Sequence, residues 1–127
     1  MAILGLQIIA DLYECEAGIL DDPDRIRDAM LEASRRAGAT LIGERFHRFS
    51  PQGVSGMVII AESHLAIHTW PEHRYAALDL FTCGHTLQSG PCFDYLVEVL
   101  GCQRPVLSTL ERGQALHPKA PAGPARG

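Results

Sequence analysis

The stretch Val54-Ser55-Gly56-Met57-Val58-Ile59-Ile60-Ala61-Glu62-Ser63-His64-Leu65-Ala66-Ile67-His68-Thr69-Trp70 decides the fold. Val54 to Ala61 is largely apolar and short, the mark of a buried strand, and Leu65 to Trp70 reads as the next strand. So short a connection makes the two antiparallel neighbours. Upstream, Thr40 to Phe49 is a strand with Leu41, Gly43, Arg45, His47 and Phe49 on one face. The turn Ser50-Pro51-Gln52-Gly53 joins it to Val54. Downstream, Pro71-Glu72-His73-Arg74 is a hairpin loop leading into Tyr75 to Phe81, where Ala77, Asp79 and Phe81 alternate with Leu78 and Leu80.

The flanks add two helices and two strands. Ala2 to Leu12 is a strand rich in Ile and Leu. Asp22 can cap a helix whose first position suits Pro23, and acids favour that end. Ile26, Ala29, Met30, Ala33 and Ala37 form its apolar stripe, and Gly38 ends it. After a loop from Gly84 to Pro91, Cys92 to Leu100 is a second helix, buried through Phe93, Leu96, Val97 and Leu100. Gln103 to Leu110 is the last strand. Two amphipathic helices cover only one face of such a sheet. The expected fold is therefore an α/β two-layer sandwich, an antiparallel sheet with two helices on one face. The other face is polar or buried by a partner subunit. Residues 1–116 form one domain, and the Pro-, Ala- and Gly-rich tail, 117–127, is expected to be disordered.

Composition narrows the function. The net charge of −4, without a basic block, argues against nucleic acid as a partner. The start, Met1 to Gln7, has no basic n-region, and its apolar run is too short to span a bilayer. The four cysteines, Cys15, Cys83, Cys92 and Cys102, form no C-x-x-C pair. Reduced thiols and a cytoplasmic location are expected, without a zinc ribbon. His64, His68 and His73 do not make a metal site either. On a strand His64 and His68 lie about 13 Å apart, too far for one ion.

The chemistry concentrates at Glu62-Ser63. A serine hydroxyl can attack the carbonyl before it, turning the peptide bond into an ester. β-Elimination then releases the upstream chain, and hydrolysis of the resulting dehydroalanine leaves a pyruvoyl group. That ketone can form a Schiff base with a substrate amine and accept electrons from a breaking Cα–carboxyl bond. A lone strand-end serine more often only hydrogen-bonds its own backbone. Phe49 and Trp70 alone could be core aromatics, Cys83 an inert thiol, and Ser55 a turn residue.

Three segments change that balance: Phe46 to Gly56, Glu62 to Glu72, and Leu78 to Gly84. They resemble the prokaryotic S-adenosylmethionine decarboxylases, self-processing pyruvoyl enzymes of spermidine synthesis, and the likeness runs from about Ile3 to Gly113. The resemblance implies a chain break between Glu62 and Ser63, with Ser63 the precursor of the pyruvoyl cofactor. It implies that Ser55 and His68 assist cleavage and that Cys83 returns a proton to the substrate Cα. Phe49 and Trp70 would sandwich the adenine, Glu72 would accept the ribose hydroxyls, and Leu65 would join the substrate-binding set. It also implies a two-layer sandwich and a homodimer of processed chains.

Because Ser63 and His68 are an odd number of residues apart, strict alternation puts them on opposite faces. A bend, a bulge or movement after cleavage has to bring them together. Two stretches depart from the family pattern. Glu14 stands where members usually have glycine, and His85-Thr86-Leu87-Gln88 replaces a usually acidic run. An added carboxylate at Glu14 could meet the distal cation of ornithine or arginine, which makes a pyruvoyl decarboxylase of those amino acids the alternative. A non-catalytic homologue is the remaining reading.

Overall fold

The computed structural model describes residues 3–83 and 87–114. Six strands form one sheet: β1 (Gly5–Tyr13), β2 (Leu41–Arg48), β3 (Val54–Ile60), β4 (Ser63–Trp70), β5 (Tyr75–Thr82) and β6 (Arg104–Arg112). Their spatial order is β2-β3-β4-β5-β1-β6, and every neighbouring pair is antiparallel. The helices are α1 (Ala17–Leu20), α2 (Pro23–Arg36) and α3 (Ser89–Val99), and a 3-10 turn spans Pro71–His73.

Alternation builds the core. Ile8, Ala10 and Leu12 of β1, Val58 and Ile60 of β3, Leu65 and Ile67 of β4, and Leu78 and Leu80 of β5 are buried. They join one cluster with Ile26, Met30 and Ala33 of α2 and Phe93 and Leu96 of α3. Each such large side chain contributes roughly 1.5–3 kcal/mol. The Asp22 carboxylate accepts from the Asp24 and Arg25 amides, as the cap required. The two-layer sandwich expected from the sequence is the fold observed.

Three details fix the loops at one end of the sheet. The buried Thr69 hydroxyl accepts from the Val54 amide at 2.8 Å and donates to the Leu20 carbonyl at 2.7 Å, tying α1 to β3 and β4. The Asp21 carboxylate accepts from the Gly53 amide at 2.9 Å and pairs with Arg48 at 2.7 Å. Gly53 has φ 104°, which suits glycine alone. Arg74, itself left-handed at φ 52°, donates through Nε to the Cys15 carbonyl at 2.7 Å.

Besides small shifts at the ends of β1, β2 and β6 and the 3-10 turn at Pro71–His73, three differences from the sequence reading stand out. The single turn α1 was not foreseen. α3 begins at Ser89 rather than Cys92, because Pro91 lies in the first turn, where a missing amide costs nothing. β4 begins at Ser63 rather than Leu65, since Ser63 pairs with Ile60 and Thr82. The expected tail beyond His117, and His85 with its neighbours Gly84 and Thr86, lie outside the described residues.

Candidate active site

The β3–β4 hairpin turns through Ala61 and Glu62, and neighbouring segments hold that turn. The Ala61 amide donates to the Thr40 carbonyl at 2.8 Å, and the Thr40 amide donates to Glu62 Oε1 at 3.2 Å. The Glu62 carbonyl accepts from the Cys83 amide at 3.1 Å. The next residue, Ser63, has φ 149°, a region that is essentially glycine's and costs on the order of 1–3 kcal/mol. Its hydroxyl lies 3.4 Å from His64 Nδ1. One peptide bond thus combines a strained residue, a hydroxyl beside the preceding carbonyl, and an amide donor aimed at that carbonyl oxygen. A donor so placed stabilises the negative charge that develops on the oxygen under nucleophilic attack. Cys83 presents an exposed thiol at the same end of the sheet.

A second constellation occupies the far end of β4. A cleft of about 320 Å³ is lined by Phe49, Gln52, Gly53, Ser55, His68, Thr69, Trp70 and Glu72. Ser55 Oγ and His68 Nδ1 are 2.7 Å apart across the β3–β4 pair, a hydrogen bond whose direction follows the imidazole tautomer. Trp70 stacks on Tyr75, which stacks on Tyr13, with centroids 5.3 and 5.2 Å apart. Arg104 caps the column 4.2 Å over Tyr13. Burial first, and then Asp11, which accepts its hydroxyl, raise the Tyr75 phenol, so it stays neutral at any ordinary pH.

The site residues read from the sequence therefore fall into two groups. Glu62, Ser63 and Cys83 meet at one end; Phe49, Ser55, His68, Trp70 and Glu72 meet at the other. The register is regular from Ser55–His68 to Ile60–Ser63, with no bulge to close the gap. Five residues of strand separate Ser63 from His68, roughly 16 Å. Leu65 is 1% exposed and packs in the core, away from the residues that line the cleft. Among the described residues, no three His, Cys, Asp or Glu side chains gather where they could hold an ion. Glu14 takes the left-handed conformation at φ 59°, which glycine adopts without strain, and its carboxylate pairs with Arg104 at 3.4 Å. Sequence reasoning missed Thr40, Gln52, Asp21 and Tyr75. Of these only Tyr75 carried a signal, as the residue facing Trp70 across the predicted hairpin.

The comparisons with known proteins identify the family. The family model of S-adenosylmethionine decarboxylase matches residues 6–113. The S-adenosylmethionine decarboxylase proenzyme of Acidithiobacillus ferrooxidans is 54% identical over 114 residues, 90% of this chain and 86% of that one. The proenzyme of Pseudomonas paraeruginosa is 50% identical over 117 residues, 92% of this chain and 73% of that one. Among solved structures, the adenosylmethionine decarboxylase of Aquifex aeolicus superposes with a TM-score of 0.82 at 38% identity, covering 89% of this chain and 93% of that one. With its strained hairpin serine, its serine–histidine pair and these relatives over nearly its whole length, the chain belongs to the S-adenosylmethionine decarboxylase family.

Proposed function

We infer that this chain is a self-cleaving decarboxylase that converts S-adenosylmethionine to its decarboxylated aminopropyl donor. The observation that carries the reading is the strained Glu62–Ser63 bond, whose carbonyl is held by the Cys83 amide. Attack by Ser63 Oγ on the Glu62 carbonyl carbon forms a C–O bond and breaks the C–N bond, with the hydroxyl proton passing to the freed amine. Loss of the Ser63 Cα proton then expels the Glu62 carboxylate, and water replaces ammonia to leave the terminal pyruvoyl group. That group supplies an electron-withdrawing carbonyl for decarboxylation. The exposed Cys83 thiol is the proton donor to the product carbon. The cleft between Phe49 and Trp70 is the adenosine site, with Glu72 accepting the ribose hydroxyls. Aromatic faces suit a ligand that carries a sulfonium charge.

The working unit is a homodimer. Ser63 and the Ser55–His68 pair lie at opposite ends of β4, so one chain does not unite them. The sheet face away from the helices exposes Met57, Ile59, Val106 and Leu110, each 40–46% accessible, and buries none of them within the chain. A second copy with reversed strands on that face covers this apolar surface and brings the Ser55–His68 pair of one chain to the Ser63 end of the other. No observation favours ornithine or arginine, since Arg104 engages the Glu14 carboxylate.

Intact mass under denaturing conditions tests processing. Two fragments are expected, the downstream one lighter by one ammonia than a serine-terminated chain; a lasting single species refutes it. Carbon dioxide release from S-adenosylmethionine, ornithine and arginine side by side tests the substrate. Release from the amino acids alone overturns the reading. Co-expressing Ser63→Ala with His68→Ala chains tests the dimer. The His68→Ala chain is cleaved in the mixture if its partner supplies the imidazole, and stays whole if each chain acts alone.

A further inference from the structure

We propose that Cys15 and Cys102 are an oxidisable dithiol that closes to a disulfide, and so links the upstream and downstream chains of the processed protein. Only the identity of the linked chains rests on the cleavage proposed above. Cys15 follows β1 and is fully buried; Cys102 lies half-buried between α3 and β6. Their segments run side by side. The Glu16 amide donates to the Leu100 carbonyl at 2.9 Å, and the Gln103 amide donates to the Glu14 carbonyl at 3.3 Å. The two cysteines sit between these bonds. Cys15 faces Gly101 and Cys102 there, and its thiol adjoins and hydrogen-bonds the Cys102 thiol, the kind of proximity a disulfide needs to bridge Cα atoms about 4.4–6.8 Å apart.

Both thiols lie over the same end of β1. Cys15 Sγ donates to the Leu12 carbonyl at 3.4 Å and Cys102 Sγ to the Tyr13 carbonyl at 3.2 Å. Burial, and then the adjoining Cys102 thiol, push Cys15 up to about 12. Cys15 is therefore a poor first nucleophile, and the half-exposed Cys102 meets an oxidant first. With a peroxide, the Cys102 sulfur takes one oxygen as the O–O bond breaks, giving a sulfenic acid and water. The Cys15 sulfur then displaces that oxygen, which leaves as a second water with the Cys15 proton. Two electrons pass from the two sulfurs to one peroxide. Burial pushes the Cys92 thiol up to about 12, and Cys83 lies just after β5.

The test uses the folded, processed protein. It is treated with hydrogen peroxide, unfolded in the presence of an alkylating agent and weighed without reductant. The expected species equals the sum of the two fragments less two hydrogens, with alkyl groups on Cys83 and Cys92 only, and separates on adding dithiothreitol, while Cys102→Ser stays as two fragments. Two separate fragments with oxygen added to Cys102, or equal linking in Cys102→Ser, overturn the proposal. The uncut Ser63→Ala chain gives an independent readout. There the bridge appears as the loss of two hydrogens, two alkylated thiols instead of four, and a digest peptide joining residues 15 and 102. Its absence refutes the bridge whatever becomes of the cleavage.

Discussion

Replacing Gly56 with alanine tests how closely β2 and β3 are packed beside the Ser55–His68 pair. A Cβ on Gly56 would stand 1.9 Å from Phe46 Cδ2 and 2.2 Å from Cε2. Carbon atoms rest comfortably at about 3.5–4 Å, so the ring must retreat by well over an ångström. Phe46 faces Gly56 directly and packs against the core, so it retreats only by giving up burial. Overpacking of this kind costs about 1–3 kcal/mol, and alanine regains about 0.5–1 kcal/mol over glycine in a strand. The net expectation is a loss of about 1–2 kcal/mol. The assay is urea unfolding in the Ser63→Ala background, where the chain stays whole, with all variants compared at one protein concentration. With a slope of about 1–3 kcal/mol/M, the midpoint falls by roughly 0.3–2 M. In a Phe46→Ala background the same substitution should be neutral or slightly stabilising. If Gly56→Ala costs the same with and without the ring, to within about 0.3 kcal/mol, the steric argument is wrong.

Thr69→Val should cost about 2–4 kcal/mol, because the Val54 amide and the Leu20 carbonyl both lose their partner; Thr69→Ser, which keeps both bonds, should retain most of the stability in the same urea assay. The Gly53 amide and then the Arg48 guanidinium hold the Asp21 carboxyl below the usual range, so its contribution is present above the ordinary carboxylate pKa of about 3.9 and is lost as pH falls through the depressed value. Melting temperatures from pH 5 down to pH 2 should therefore fall more steeply for the parent than for Asp21→Asn; parallel curves would refute the role. Glu14→Gly should raise stability by about 0.5–1 kcal/mol, since relief of a left-handed residue outweighs an exposed ion pair. It should also leave substrate preference unchanged, and a switch of substrate would restore Glu14 to the binding site.

The sheet was legible because its signals are local: alternation in Tyr75 to Phe81, a turn at Ser50 to Gly53, a cap at Asp22. α1 was not, since four residues carry no period and their helical state depends on burying Leu20 and passing its carbonyl to Thr69. Pro91 read as a breaker because only the preceding residues reveal whether a proline ends a loop or opens a helix. At the site, the reactive side chains stood out in one hairpin. What joins them did not. The bond from the Cys83 amide to the Glu62 carbonyl exists only once β5 has paired with β4, and the backbone of Ser63 takes its conformation from the same pairing. Glu14 resembled a ligand-seeking carboxylate because its partner, Arg104, lies ninety positions away and no short-range pattern couples them.

A cut between Glu62 and Ser63 assigns β1, β2 and β3 to one polypeptide and β4, β5 and β6 to the other. In the order β2-β3-β4-β5-β1-β6 these strands do not form two blocks. Of the five seams in the sheet, β3–β4, β5–β1 and β1–β6 join different polypeptides, and only β2–β3 and β4–β5 lie within one. The halves are woven, and neither can peel away without tearing three seams together. The proposed cut would thus sever the chain in the middle of its sheet while leaving dissociation slow. The weave also acts in the other direction. Once denatured, the matured protein must reassemble two interlaced partners from dilute solution, so unfolding that is reversible for the precursor becomes a one-way loss for the enzyme.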